Sequence, residues 1–235
     1  MARLPRLVLA GHVHLIIHGR HNAQFVFADA IDRDTYLDSL RDAARAAGVA
    51  VHAYGLHPAE VRLLATPETD ASLAQMMQSV GRRFVPLFNA RHGRSGSPWA
   101  GRYRSTVIES EPHLLACMRF VEGLDTPLAG SVRLDESQLS SSAQHHLRGL
   151  PDALVIEHAG FWALGNTPFA REAAYRAVVS QPAHACEMAA ILHAARSGWP
   201  LGSEAFVAAV SQQSGRRARP APRGRPKKPS ESLET

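Results

Sequence analysis

The sequence predicts an α+β fold: a ferredoxin-like antiparallel sheet with helices on one face, followed by a small helical C-terminal region and a disordered basic tail. Three observations predict it. Period-two alternation recurs at Leu7–His18, Val51–Ala65 and Tyr103–Ile108. Helical spacing occupies the intervals between these runs. The resulting order is strand, helix, strand, strand, helix, strand, helix, and its first six elements have the split βαβ pattern. The expected divisions are residues 1–130, 131–213 and 214–235.

Taken in order, the first strand alternates Val13, Leu15 and Ile17 against His12, His14, Ile16 and His18, and Gly19–Asn22 turns the chain. Asp32–Ala47 has Tyr36, Leu37, Leu40 and Ala44 at helical spacing, with Gly48 as its stop. Val51–Ala65 reads as a hairpin turning at His57-Pro58-Ala59. Its first strand sets Val51, Ala53 and Gly55 against His52, Tyr54 and Leu56. Its second sets Val61, Leu63 and Ala65 against Glu60, Arg62 and Leu64, so Glu60 and Arg62 share a face. Ser72–Phe88 is a second helix that Pro86 should bend or end. Arg91–Gly101 is a glycine- and arginine-rich loop, Tyr103–Ile108 a strand, and Glu111–Glu122 a helix with Pro112 near its first turn. Gly123–Leu150 reads as loop. Helices are expected at Thr167–Ser180, Cys186–Ser197 and Ser203–Gln213, packing through Phe169, Tyr175, Ile191, Leu192, Phe206 and Val210. From Ser214 onward Arg, Pro, Gly and Ser dominate, a composition that stays disordered when unbound.

The chain has 235 residues, 45% of them apolar and 20% charged, enough for one substantial core. No apolar run is long enough to span a bilayer, and the N-terminal apolar stretch is too short for a signal peptide. Cys117 and Cys186 are too few for a disulfide framework, so a cytoplasmic, nucleoid-associated protein is expected. Charge is unevenly spread. Arg216–Lys228 holds seven basic residues and no acid, and Ala71–Ile108 contains Arg82, Arg83, Arg91, Arg94, Arg102 and Arg104 with no Asp or Glu. Arginine suits two-pronged contact with phosphate, so these six residues are candidate DNA contacts. In the tail Arg223, Arg225, Lys227 and Lys228 belong to an RGRPKK run that could lie along an A·T-rich minor groove or touch only phosphate. His12-Val13-His14 could offer two ligands to a metal, but no third is identifiable, and packed histidines explain it more simply. Cys117 reads as core, and His145-His146 as part of a solvated loop.

Together the motifs resemble the REP-associated tyrosine transposases, a branch of the single-strand HUH transposases. The resemblance runs nearly end to end. It comprises MARLPRLV with Gly11, VHAYGL, MMQSVGRRF at Met76–Phe84, WAGRYRS at Trp99–Ser105 and LLACMRFVE at Leu114–Glu122. It continues through ALG at Ala163–Gly165, AAYRAV at Ala173–Val178, GWPLGSEAF at Gly198–Phe206, and GRR followed by RGRPKK. The resemblance implies a partner, single-stranded DNA folded into hairpins. It also implies a chemistry: two histidines on the second hairpin strand hold magnesium or manganese, and a tyrosine on the following helix attacks a DNA phosphorus.

The sequence departs from that pattern where the chemistry would lie. The histidine pair aligns with Glu60 and Arg62, and the tyrosine with Phe120. Phe84 replaces a further tyrosine, and Gly-Leu-Asp-Thr-Pro stands after Glu122 where the family has Asn-Pro. Phenylalanine has no oxygen with which to form a phosphoester. A divalent cation about 4 Å from Arg62 would meet a repulsion of roughly 8 kcal/mol at an effective dielectric near 20. The expectation is therefore a DNA-binding protein without cation or strand cleavage. An active transposase using another residue, such as Tyr103, is the competing expectation.

Overall fold

A computed structural model describes residues 6–20, 26–124 and 140–220. Five strands, β1 (His14–Gly19), β2 (Val49–Leu56), β3 (Glu60–Pro67), β4 (Arg104–Val107) and β5 (Ser140–Ser141), form one antiparallel sheet in the order β4-β1-β3-β2-β5. The helices are α1 (Ala30–Ala47), α2 (Ser72–His92), α3 (Ser110–Glu122), α4 (Ala143–Arg148), α5 (Ala159–Trp162), α6 (Pro168–Ser180), α7 (Ala185–Ser197) and α8 (Glu204–Ser214). The fold is α+β, as the sequence predicts. No helix among the described residues is long and apolar enough to cross a membrane.

The helices cover both faces of the sheet rather than one. Tyr36 and Leu40 of α1 and Leu73, Met76, Val80 and Phe84 of α2 pack on Ile16, Tyr54, Leu56 and Leu63. On the opposite face Leu114, Cys117, Phe120 and Val121 of α3 pack on Leu15, Ala53 and Leu64, joined by Phe161, Tyr175 and Ile191 from the C-terminal helices. Both faces carry apolar residues, so each needs a cover. Asp29 caps α1 through the Asp32 N–H, and Gly48, at φ 62°, ends it in the left-handed region.

The boundaries differ from expectation at several places, each for a physical reason. The first strand begins at His14 because Leu7–His12 turns: Gly11 has φ 73° and donates to the Pro67 carbonyl. Helix α2 runs through Pro86 to His92, since Pro86 lies on the exposed face where water can take over the lost backbone bond. In β2 the register shifts between Val51 and Ala53, a bulge at His52. Val51 therefore shares a core with Tyr54 and Leu56, while Ala53 faces α3. The expected loop before Leu150 contains β5 and α4, and there His146 is fully buried rather than solvated. Phe169 is 76% exposed and packs nothing together. Beyond Ser214 the chain stays packed at first: Ala218 is buried and Arg216 Nη1 donates to the Arg6 carbonyl.

The two cysteines and the HVH run are plain. Cys117 is buried and Cys186 exposed. His14 spends both ring nitrogens locally: Nδ1 lies 2.8 Å from the His12 carbonyl, and Nε2 accepts the Leu9 N–H at 3.2 Å. Burial pushes its pKa down to about 4, so it stays neutral.

Candidate functional site

The positions singled out by the sequence meet at the junction of β3 and α3. Alternation along β3 puts Glu60 and Arg62 on the α3 side. Gly55 of β2 pairs with Arg62, and a Cβ added to it would stand 2.1 Å from the Val121 carbonyl oxygen. The missing side chain is what lets the last turn of α3 approach the sheet.

Into that approach Arg62 inserts its guanidinium. Nε donates to Glu60 Oε1 at 2.6 Å, Nη1 donates to the Phe120 carbonyl at 2.9 Å, and Cζ lies 4.1 Å from the Phe120 ring centroid. The Arg62 side chain is 16% exposed. His57 donates through Nε2 to the neighbouring Val121 carbonyl at 2.9 Å. Carbonyls in the last turn of a helix carry the negative end of its dipole, and the Phe120 carbonyl has only the long 3.3 Å bond from the Gly123 N–H, so two side-chain N–H donors, one cationic, supplement the backbone there. Burial and then the charge of Arg62 push His57 down to about 4, leaving it a neutral donor. Positions 60, 62 and 120 are thus in contact. As donors to a divalent cation they do not fit, because the Glu60 carboxylate is held by Arg62 and the guanidinium fills the space beside it. Among the described residues no group of three or more His, Cys, Asp or Glu is arranged to hold a metal ion.

Behind this junction lies a buried carboxylate that the sequence did not signal. Glu122, the last residue of α3, is fully buried. Its Oε1 accepts from Ser142 Oγ at 2.6 Å and from His146 Nδ1 at 2.5 Å, and its Oε2 from Tyr175 at 2.8 Å. Three donors on α4, α6 and the turn before α4 therefore fix the end of α3, and with it Phe120.

The candidate DNA-contacting arginines do not form one group. Arg83 pairs with Asp42 at 2.6 Å, and Arg91, in the last turn of α2 rather than in a loop, pairs with Asp29 and Asp32. The acid-free stretch thus finds its acids on α1. Arg82 is exposed, and Arg94 lies 5.6 Å from the Phe88 ring centroid. Arg102 and Arg104 are exposed, on and beside the edge strand β4. Tyr103 between them is buried under Arg6, whose Cζ is 3.7 Å from its ring, and burial raises its phenol pKa. It is therefore poorly disposed to act as a phenolate. Arg223, Arg225, Lys227 and Lys228 lie outside the described residues.

No family model and no curated protein matches the chain. Among solved structures it is similar to a REP-associated tyrosine transposase bound to a REP hairpin, with 12% identity and a TM-score of 0.47, over 67% of this chain and 93% of that one. It is also similar to a Deinococcus radiodurans protein described as a transposase, with 23% identity and a TM-score of 0.36, over 51% of this chain and 94% of that one.

Proposed function

We propose that the chain is a DNA-binding protein of transposase descent that grips single-stranded or hairpin DNA and does not cut it, working in the cytoplasm on the nucleoid. The observation that carries this reading is the seating of Arg62 between Glu60 and Phe120. Arg62 touches both of the other positions at which the sequence departs from the pattern it resembles. What meets there is a cation, its counter-ion and an aromatic hydrocarbon. A nucleophilic phenol and a Lewis acid are the two parts that strand cleavage would need, and these residues supply neither.

The arginines supply the grip. Arg82, Arg94, Arg102 and Arg104 are exposed. Arg83 and Arg91 contribute less, because carboxylates already occupy them. The basic tail adds a second hold on the DNA phosphates.

The test uses the full chain and a labelled hairpin oligonucleotide with magnesium or manganese. The expected result is a shifted band on a native gel that fades steeply with salt, and no adduct on a denaturing gel. A covalent protein–DNA adduct overturns the loss of cleavage. Absence of any shift at low salt overturns DNA binding.

A further inference from the structure

Beside the edge strand β4 a cleft of about 280 Å³ is lined by Arg6, Arg102, Arg104, Arg196, Arg216 and Arg217, with Trp199 as its apolar wall. The six arginines come from four separate segments of the chain: the N-terminal arm, β4 and its approach, the end of α7, and the stretch after α8. Among the described residues no Asp or Glu lines the cleft. Arg102, Arg104, Arg196 and Arg217 are exposed and make no ion pair among the described residues. Two guanidiniums are held in place by carbonyls. Arg104 Nη1 donates to the Arg196 carbonyl at 3.3 Å, and Arg6 Nε to the Tyr103 carbonyl at 2.9 Å. The four exposed like charges, Arg102, Arg104, Arg196 and Arg217, gathered in one recess repel one another unless an anion joins them.

We propose that this cleft holds one phosphate-bearing nucleotide of a single-stranded nucleic acid, the guanidiniums taking the phosphate oxygens and Trp199 the base. The inference rests on the DNA-binding reading and goes beyond it by placing a strand at Arg6, Arg196, Arg216 and Arg217. The size decides against a duplex, since the cleft lies at the small end of single-ligand sites. A guanidinium-lined groove with an aromatic wall is how single strands are held without sequence preference.

The test compares the full chain with Arg104→Ala/Arg196→Ala and, in case that pair disturbs folding, with Arg102→Ala/Arg217→Ala. Thermal melts show which variants are folded. Affinity for labelled oligothymidylate is measured across a salt series. Loss of two phosphate contacts should flatten the slope of log K against log salt by about 1.4, at about 0.7 per contact on single strands, and weaken binding at low salt by about tenfold or more. Separately, thymidine monophosphate should shift the Nε–H resonances of Arg104 and Arg196 in the unmodified chain. If the unmodified chain binds the oligonucleotide and a folded variant keeps its slope and affinity, the cleft assignment is overturned while DNA binding stands. If the unmodified chain binds no oligonucleotide, DNA binding falls, and the monophosphate decides the cleft. Shifted resonances sustain it as a nucleotide site, and unmoved resonances overturn it.

Discussion

Replacing Arg62 by leucine removes the side chain that closes the β3–α3 junction. Three contacts go with it. The charged bond to Glu60, at 2.6 Å, is discounted to about 1 kcal/mol because the Glu60 side chain is 27% exposed and water can replace the guanidinium. The bond to the Phe120 carbonyl contributes about 1 kcal/mol, and the guanidinium over the Phe120 ring about 0.5–1 kcal/mol. Leucine restores some apolar contact, so the net loss should be about 2 kcal/mol. Glu60→Gln alone, which keeps an acceptor for Nε, should cost about 1 kcal/mol. The double variant should cost less than the two singles combined, by about 1 kcal/mol, because it no longer leaves one charge without the other. Urea unfolding at neutral pH measures all three. The exposed pair Arg83–Asp42, with side chains 49% and 57% exposed, is the internal control, and Arg83→Ala should cost no more than about 0.5 kcal/mol. If Arg62→Leu costs no more than the control, or if the singles and the double are additive, Arg62 is a surface residue rather than a plug.

Three other outcomes are expected. Gly55→Ala would drive a methyl to 2.1 Å from the Val121 carbonyl oxygen, so either α3 shifts or the fold weakens by about 3 kcal/mol; an unchanged urea midpoint refutes the close approach. Tyr175→Phe takes one of three donors from the buried Glu122 carboxylate and should cost about 1–3 kcal/mol, whereas Tyr54→Phe, whose partner Asp152 is only half-buried, should cost less. Acid should destabilise the fold through its histidines. Burial holds His14, His52 and His57 at about 4, against an ordinary value of about 6.5. Between those values the unfolded chain binds more protons than the folded one, so their contribution is complete above about pH 6.5 and is lost as pH falls towards 4. The unfolding midpoint followed from pH 7.5 to 4.5 checks this, and a flat profile contradicts it.

Much of the fold was legible because each main element carries its own local signal. The three C-terminal helices fall within a residue or two of expectation because each has local stops: Thr167 and Ser203 cap two of them, and Gly198 and Gly215 end two. The pairing of Glu60 with Arg62 was legible from the period of a strand, and its contact with Phe120 only through the resemblance. What stayed hidden is what depends on residues far apart in the chain. The bulge at His52 leaves the local alternation looking regular while reversing its sense. The burial of His146 follows from a carboxylate at position 122, and the pairing of Arg83 and Arg91 from acids on α1. The arginines of the cleft share no motif, since only the folded chain brings positions 6, 104, 196 and 217 together. Phe169 misled in the other direction, because helical spacing alone does not say which side meets a neighbour.

The ends of the sheet carry a consequence for how the molecule behaves in a crowd. Bare strand edges template the addition of further strands, and aggregation follows. At β2 the outer groups are taken by β5 and by Ile156, whose N–H bonds the Val51 carbonyl at 2.8 Å. At β4 the Val107 carbonyl is taken by the Leu201 N–H at 2.9 Å, which among the described residues leaves the stretch around Arg104. A second copy adding itself there, strand against strand, would have to press guanidinium upon guanidinium. The same arginines that invite an anion thus keep neighbouring copies from stitching their sheets together.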